Sequence, residues 1–538
     1  MLIFDALNAV YSFLRTHYRE SDLKIIRKEL DTIARANDYV YVGEDCSVSY
    51  SYIDIQRLLS KMNEKESIRK SKGVYYTPGD VVRFILRNSF MALFSKLSPE
   101  NIGQNDLPNI SSKAFCMQKT VFDPTCGAGE FLLEALNMKF DMLDMGYKKV
   151  TRPMVHNTVA TIRGNDVNTE SVAIAKIRLF LCVLSRYGVR SIVGLSNILN
   201  QCFTTIDYVA CDNRNEKYDM IVGNPPYVED SKSGLNLTNK FGNIYANVLL
   251  NAANQLAPHG SLGFVVPLSY ISTPRMKKLR KELIQRVPEQ YILSYADRPD
   301  CLFDSVHQKL CIIIGKASVS EVRTYTGNYQ FWYNSERAEL FSKTMVVENK
   351  FGNDSFIPKL GTVTDIDIYT KITNAKTLNS VYEKSRQGTE SVYLNRREAF
   401  WMKAYRTLRE DPEYKVFSYK TAAEADYCYC LINSSLFWWY WICTSDCWHV
   451  SKELNGFMAP NPPAGNRATE LANNLRDKLE ATKVFVGTAQ TEYEYKHKEC
   501  MDEIHAIDDF VNRLFGLTEE ESTYIKNFAF KYRTSGGA

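Results

Sequence analysis

Apolar and polar residues alternate along this chain in two textures. From about residue 66 to about 320, short apolar runs are separated by stretches of helical period. Thr120 to Phe122, Ile162 to Val167, Met220 to Gly223, Ser261 to Leu268, Tyr291 to Tyr295 and Leu310 to Ile314 read as buried strands. Val81 to Phe90, Glu130 to Leu136, the stretch from Ser171 onward, Ile244 to Ala257 and Arg275 to Gln285 read as helices, the last behind the start signal Ser272-Thr273-Pro274. Strands alternating with helices predict a mostly parallel sheet covered on both faces, an α/β architecture. Residues 1 to about 65 are helical in pattern and rich in charge. From about 345 to 538 the alternation fades, and aromatic residues and basic stretches take over, as in a separate second domain.

One apolar run needs separate treatment. Tyr427 to Ser445 carries no charge over nineteen residues and includes Trp438, Trp439 and Trp441, a length that could cross a membrane. Asn433, Ser434, Ser435 and Thr444 interrupt it, so the expectation is a buried helix and no membrane partner. The formal net charge of +4 over 538 residues is unremarkable, so any nucleic-acid surface must be a local patch. Thirteen cysteines lie scattered without paired short spacings, and charge interrupts the N-terminus too early for a secretion signal. Reduced thiols in a cytoplasm are the expectation. Cys428, Cys430, Cys443, Cys447 and His449 lack the spacing of zinc ligands, and no metal is expected.

Chemistry concentrates at the ends of the expected strands. Asn224-Pro225-Pro226-Tyr227 closes the run Met220 to Gly223. An Asn oxygen and the next carbonyl can each accept one N–H of a conjugated amine, while two prolines stiffen the loop and remove competing donors. Tyr227 offers an aromatic face on which a planar base can stack. Asn-Pro-Pro also serves as an ordinary turn after a strand. Upstream, Asp123-Pro124-Thr125-Cys126-Gly127-Ala128-Gly129 joins a strand to a helix. Glycines admit a ligand close to the backbone, and the helix N-terminus favours a carboxylate. Asp166 and Val167 end the second strand, where an acid can hold ribose hydroxyls and an apolar side chain can lie against an adenine. Asp166 could equally cap the following helix.

Taken together, these residues resemble the S-adenosylmethionine-dependent N6-adenine DNA methyltransferases, in the subgroup whose cofactor motifs precede the catalytic loop and whose target-recognition domain follows it. Lys72 to Pro78 looks like the family's first motif, with Tyr76 and Thr77 over the methionine end of the cofactor. Asp123 to Phe131 resembles the glycine loop, Asp166 the ribose acid, Asn224 to Tyr227 the catalytic loop, and Gln308 to Ala317 the last strand of the sheet. The five elements cover roughly residues 66 to 320 in the family's order. The resemblance implies a Rossmann-like methyltransferase domain at 66–320, a helical N-terminal segment at 1–65 and an α+β target-recognition domain at 345–538. Within that last domain, Leu431-Ile432-Asn433-Ser434-Ser435-Leu436-Phe437 is similar to a run that recurs in relatives.

The resemblance also assigns roles. The family's adenine-binding Asp after the third strand is missing from Val193 to Leu199, so Asn197 is the expected occupant, with a neutral oxygen in place of a carboxylate. Phe303 is the candidate aromatic against the target base, with an ordinary core position as its alternative. Lys384, Arg386 and Gln387, with Arg396 and Arg397, are the candidate DNA contacts, although charge clusters more often form a solvated face. The expected reaction flips an adenine out of duplex DNA and transfers a methyl group to its amino nitrogen, with Val228 to Asn243 as a lid. It would belong to a restriction-modification system or to an orphan modification enzyme in a bacterial or archaeal nucleoid. Any nuclease would come from a separate restriction or specificity subunit, because no Asp-spacer-Glu-x-Lys pattern stands in the first 70 residues. The same loop also occurs in RNA and protein-glutamine methyltransferases. A non-catalytic DNA-binding subunit on this scaffold is the alternative from a different class.

Overall fold

The computed structural model describes residues 2–35, 49–62, 76–104, 113–210, 215–237, 239–303, 307–317, 321–375, 388–409, 412–450, 457, 459–488 and 491–534. Its centre is a nine-stranded sheet in the order β3-β2-β1-β4-β5-β7-β6-β8-β9. The strands are β1 Val121–Asp123, β2 Ile162–Asn165, β3 Phe203–Thr204, β4 Tyr218–Gly223, β5 Leu256–Pro267, β6 Glu289–Tyr295, β7 Leu310–Lys316, β8 Arg323–Gln330 and β9 Val347–Glu348. β3, β2, β1, β4 and β5 pair in parallel, while β7 runs antiparallel between β5 and β6. Met220, Ile221 and Val222 of β4 and Leu310 to Ile314 of β7 are fully buried, as continuous apolar runs in a doubly covered sheet should be. After β1 the chain winds outward to β3, then returns as β4 on the other side of β1. Such a reversal opens a crevice outside the carboxyl ends of β1 and β4.

Three boundaries differ from the sequence expectation. β5 begins at Leu256, because Leu256 pairs with Tyr218 before residues 257–260 bulge out and Ser261 resumes pairing with Met220. His259 takes φ 64° in that bulge, a feature hydrophobic pattern alone does not reveal. β7 is not the last strand, since β8 and β9 extend the sheet to Glu348. The uncharged run forms two helices, Ala422–Asn433 and Ser435–Thr444, broken where the Ser434 hydroxyl accepts the Phe437 amide hydrogen bond. Trp438, Trp439 and Trp441 are at most 1% exposed, and their indole N–H groups donate to Ala399 O, Asp365 Oδ1 and His449 O. They are core residues with satisfied polar ends. Among the described residues no helix is long and apolar enough to cross a membrane.

The N-terminal helices Leu2–His17, Glu20–Arg35 and Tyr52–Met62 pack against the helix Thr169–Tyr187. Leu23, Ile26, Leu30 and Ile33 form the buried stripe of the second helix at helical spacing. On the same helix, Glu29 accepts hydrogen bonds from the Gly194 and Ser196 amides and the Ser196 hydroxyl. Beyond β9, a three-stranded antiparallel sheet of β10 Glu390–Asn395, β11 Ala404–Tyr405 and β12 Tyr414–Tyr419 packs with the helices that follow. Near the C-terminus, the Arg533 guanidinium lies 4.4 Å from the ring centres of both Trp401 and Trp438.

Candidate active site

The crevice at the β1/β4 reversal is a cavity of ≈ 360 Å3, in the range of small-molecule sites. Residues 123–128 form its floor, 165–167 and 206–209 one wall, and Asn224 and Pro226 the opposite wall. Tyr76 and Thr77 close one end. From the N-terminal helices comes Ser60, and from the expected lid come Lys232, Ser233 and Leu235.

Two glycines are obligatory here. Gly129 starts the helix Glu130–Gly146 at φ 84°, and an added Cβ would stand 3.0 Å from the Cβ of Ala175. Gly223 precedes the Asn224–Tyr227 loop, where an added Cβ would stand 2.9 Å from Asp123 Oδ1. The Asp123 carboxylate therefore fits beneath β4 only because residue 223 has no side chain. Gly127 takes φ 52°, and its amide donates to Asp166 Oδ2 at 2.9 Å. Asp166 Oδ1 accepts the Asn168 amide, and Asn168 rather than Asp166 caps the next helix through the Glu170 and Ser171 amides. Asp166 thus faces the glycine loop and the cavity.

Asn165 joins the three strand ends. Its amide group donates to Pro124 O and Ile206 O at 3.0 Å each, while its oxygen accepts from the Thr204 hydroxyl and the Ile206 amide. With all four bonds made, this 2% exposed side chain fixes β1, β2 and β3 relative to one another. Burial pushes the Asp123 carboxyl well above its usual range, opposed by the Thr125 amide and reinforced by Asp166 nearby. The Cys126 thiol is also pushed up, by burial first and then by Asp166 and Asp123. The Thr125 hydroxyl is buried with no hydrogen-bond partner. Asp166 and Asp207 line this cavity beside the buried Asp123 carboxyl, so it favours a ligand carrying positive charge and hydroxyl donors.

In the Asn224–Tyr227 loop, the Asn224 amide nitrogen donates to Thr77 Oγ1 at 3.0 Å, and the Asn224 oxygen accepts the Tyr227 hydroxyl at 2.6 Å. The Tyr227 hydroxyl also stands 3.1 Å from Val265 O, and its ring meets Tyr245 edge-on at 6.4 Å. Thr77 is 4% exposed, so the bond to Asn224 is sheltered from water. Pro225 is buried behind the loop, and Val167 stands 72% exposed at the cavity lip. The hydroxyl–amide bond was not foreseeable from the tetrapeptide, which suggested a ring face only.

Two sequence expectations are corrected. Asn197 is exposed on the helix Leu195–Cys202 and lies outside the cavity lining. The third strand is the two-residue Phe203–Thr204, so the acid after it is Asp207, whose Oδ1 accepts the Val209 and Ala210 amides. A strand of two residues leaves no hydrophobic period to detect, which is why the assignment slipped upstream. Phe303 is 1% exposed in the core, where it cannot meet a base. Lys384, Arg386 and Gln387 lie outside the described residues, as do Lys72 to Tyr75. Arg396 and Arg397 are exposed and stand away from the cavity lining. Among the described residues no cluster of acidic, His or Cys side chains could hold a metal.

Comparison with known proteins bears on this geometry. Residues 160–299 match the Eco57I restriction-modification methylase family. The matched segment includes Asp166, Asp207 and the Asn224–Tyr227 loop. Over 202 residues the chain is 25% identical to the type II methyltransferase M.BstVI of Geobacillus stearothermophilus, covering 35% of each chain. Over 211 residues it is 25% identical to the adenine-specific methyltransferase PglX of Streptomyces coelicolor, covering 32% of this chain and 16% of that one. The matched regions therefore span about a third and about a sixth of these relatives. The type IIL restriction-modification enzyme MmeI, solved in complex with DNA, superposes with a TM-score of 0.55 at 12% identity, over 99% of this chain and 95% of that one. Its fold is shared along almost the whole chain.

Proposed function

We propose that this protein is a site-specific DNA methyltransferase that moves a methyl group from S-adenosylmethionine to the N6 amino group of an adenine extruded from duplex DNA. The observation that carries the proposal is the placement of Asn224 on the wall of the cavity floored by the glycine loop and lined by Asp166 and Asp207. The residues fit that cofactor. Asp166 suits the ribose hydroxyls, Asp207 the adenine amino group, Asp123 the cationic end, and the Thr125 hydroxyl gains the partner it lacks. When bound, S-adenosylmethionine supplies a methyl group activated by the positive charge on its sulfur.

The chain does the positioning. Thr77 fixes the Asn224 amide so that its oxygen faces the incoming amine, and Pro225 presents its carbonyl as a second acceptor. These two bonds draw the amino protons aside and return lone-pair density to nitrogen. Tyr227 releases Asn224 as the base arrives and stacks on its ring, which recovers part of the cost of extrusion. The cationic amine then loses a proton to water, so no side-chain base is required. Residues 345–538 select the sequence, and a separate restriction or specificity subunit completes a restriction-modification system.

Incubating the protein with labelled S-adenosylmethionine and, in parallel, unmethylated duplex DNA, RNA and protein acceptors tests the proposal. Label in DNA, recovered as N6-methyladenine, is the expected outcome. Label confined to RNA or to glutamine amides would overturn the DNA assignment, and cofactor binding without transfer would favour a binding subunit.

A further inference from the structure

Phe303 is buried and Tyr227 is reserved for the extruded base, and the structure holds a further exposed ring outside the cavity. Trp448 is 37% exposed, the most exposed of the six tryptophans; Trp332, Trp438, Trp439 and Trp441 are all at 1% or below, and Trp401 is half-buried. It stands on a tight turn whose neighbour Cys447 takes φ 55°, a strained conformation for a residue with a side chain. Asp446 Oδ1 holds the turn by accepting the Trp448 and His449 amides at 2.9 Å each. The Lys309 ammonium lies 4.6 Å from the indole centre and pairs with Asp297, and the exposed Arg298 guanidinium lies 5.9 Å from the same ring. Two parts of the fold therefore lock one exposed indole in place.

The location matters as much as the ring. Lys309 immediately precedes β7, and its carbonyl accepts the Leu268 amide just past the carboxyl end of β5. Gly223 pairs with Phe264 and Phe264 with Ile313, so Lys309 is displaced from Gly223, the residue before Asn224, by two strand spacings and four residues. That displacement is about 16 Å, on the order of five base steps, along the edge where Asn224 works. Arg397 bridges to His449, and the Arg396 carbonyl accepts the Val450 amide, which brings both arginines beside Trp448. Arg397 pairs with Glu413, whereas among the described residues Arg298 and Arg396 make no ion pair. A fixed, exposed ring beside Arg298 and Arg396, with Lys309 and Arg397 already paired to Asp297 and Glu413, is complementary to bases framed by phosphates.

We infer that Trp448 packs against duplex DNA beside the extruded base, with Arg298, Arg396 and Arg397 on the neighbouring phosphates. This rests on the DNA-methyltransferase reading above. The test is titration of the full chain with sheared, unmethylated genomic duplex DNA while following tryptophan fluorescence, S-adenosylmethionine binding and methyl transfer. DNA should quench the wild-type fluorescence and leave Trp448→Phe largely unquenched. Trp448→Ala should bind DNA about tenfold more weakly, with Trp448→Phe restoring most of the affinity. Arg298→Ala should lower the slope of log affinity against log salt by about one. Cofactor affinity should stay within about twofold of wild type in all three. If Trp448→Ala loses cofactor binding it has misfolded, and the quenching of Trp448→Phe then decides. Undiminished quenching in Trp448→Phe, or wild-type DNA affinity in a folded Trp448→Ala, overturns this inference alone while methyl transfer to DNA continues. A wild-type protein that binds cofactor but no duplex overturns both readings.

Discussion

Asn224 shows what a single side chain can be asked to do and what it must first give up. Its oxygen accepts the Tyr227 hydroxyl at 2.6 Å, so in the proposed reaction an arriving base exchanges one hydrogen bond for another. Tyr227→Phe frees the acceptor and keeps the ring, whereas Tyr227→Ala removes the stacking face. Steady-state kinetics on DNA should show Tyr227→Phe within about fivefold of wild type and Tyr227→Ala weaker by about tenfold or more in kcat/KM. A defect in Tyr227→Phe as deep as in Tyr227→Ala would make the hydroxyl, rather than the ring, the working group. Asp207 and Asn197 offer a second contrast. Calorimetry should find S-adenosylmethionine bound about tenfold more weakly by Asp207→Ala and unchanged by Asn197→Ala. The reverse pattern would return the role to Asn197. The tetrapeptide and the glycine loop were legible in the sequence because special backbone chemistry marks both. Asp207 was not, since an Asx turn behind a two-residue strand has no pattern of its own.

At the scale of elements, the N-terminal helices line the cavity at Ser60 as well as covering the fold. Arg178, 3% exposed by side chain, donates to Ala128 O at 2.8 Å and to Glu130 Oε1 at 2.5 Å from one guanidinium nitrogen. Its Nε donates to Gln56 Oε1 at 3.0 Å, and Gln56 returns a bond to Arg178 O, so the helix Tyr52–Met62 braces the glycine loop. Arg178→Met keeps much of the volume and loses three donors. Chemical denaturation should find it less stable by about 2–3 kcal/mol, with weaker cofactor binding as a second consequence. Unchanged stability would mean that the loop holds its shape without the brace. Sequence pattern gave the helical character of residues 1–65 but not their place against the glycine loop, because contacts so distant in sequence leave no local signal.

A buried acid sets a pH dependence in the C-terminal half. Glu398, 3% exposed, accepts the Lys403 amide, and burial pushes its carboxyl from 4.5 up to about 8. Between those values the folded chain holds a proton the unfolded chain has released, so this group's contribution to stability is lost as pH rises from about 4.5 to about 8. Glu398→Gln removes that titration. Its melting temperature relative to wild type should climb steadily between pH 4.5 and pH 8 and then level off. A difference independent of pH would contradict the raised carboxyl.

Across the whole molecule, the two textures of the sequence become one sheet and a helix-rich neighbour, and the cavity lies at the β1/β4 end of the sheet. Hydrophobic alternation placed β1, β2, β4, β6 and β7 to within two residues at each end, because strands buried on both faces are written as apolar runs. It missed β8 and β9, whose polar sequences Arg323–Gln330 and Val347–Glu348 are held by pairing rather than by a hydrophobic code. The membrane-length run resolved into a core helix pair, and Tyr427, Trp438 and Trp439 have hydrogen-bond partners 33, 39 and 74 residues away in the chain. The central claim, that this edge methylates adenine in DNA, is tested most directly by modification-sensitive sequencing of DNA from cells expressing the chain, with Asn224→Ala as the control. N6-methyladenine at one recurrent motif, absent in the control, is the predicted result. No modified adenine from a folded, cofactor-binding protein, or the same marks from Asn224→Ala, would contradict it.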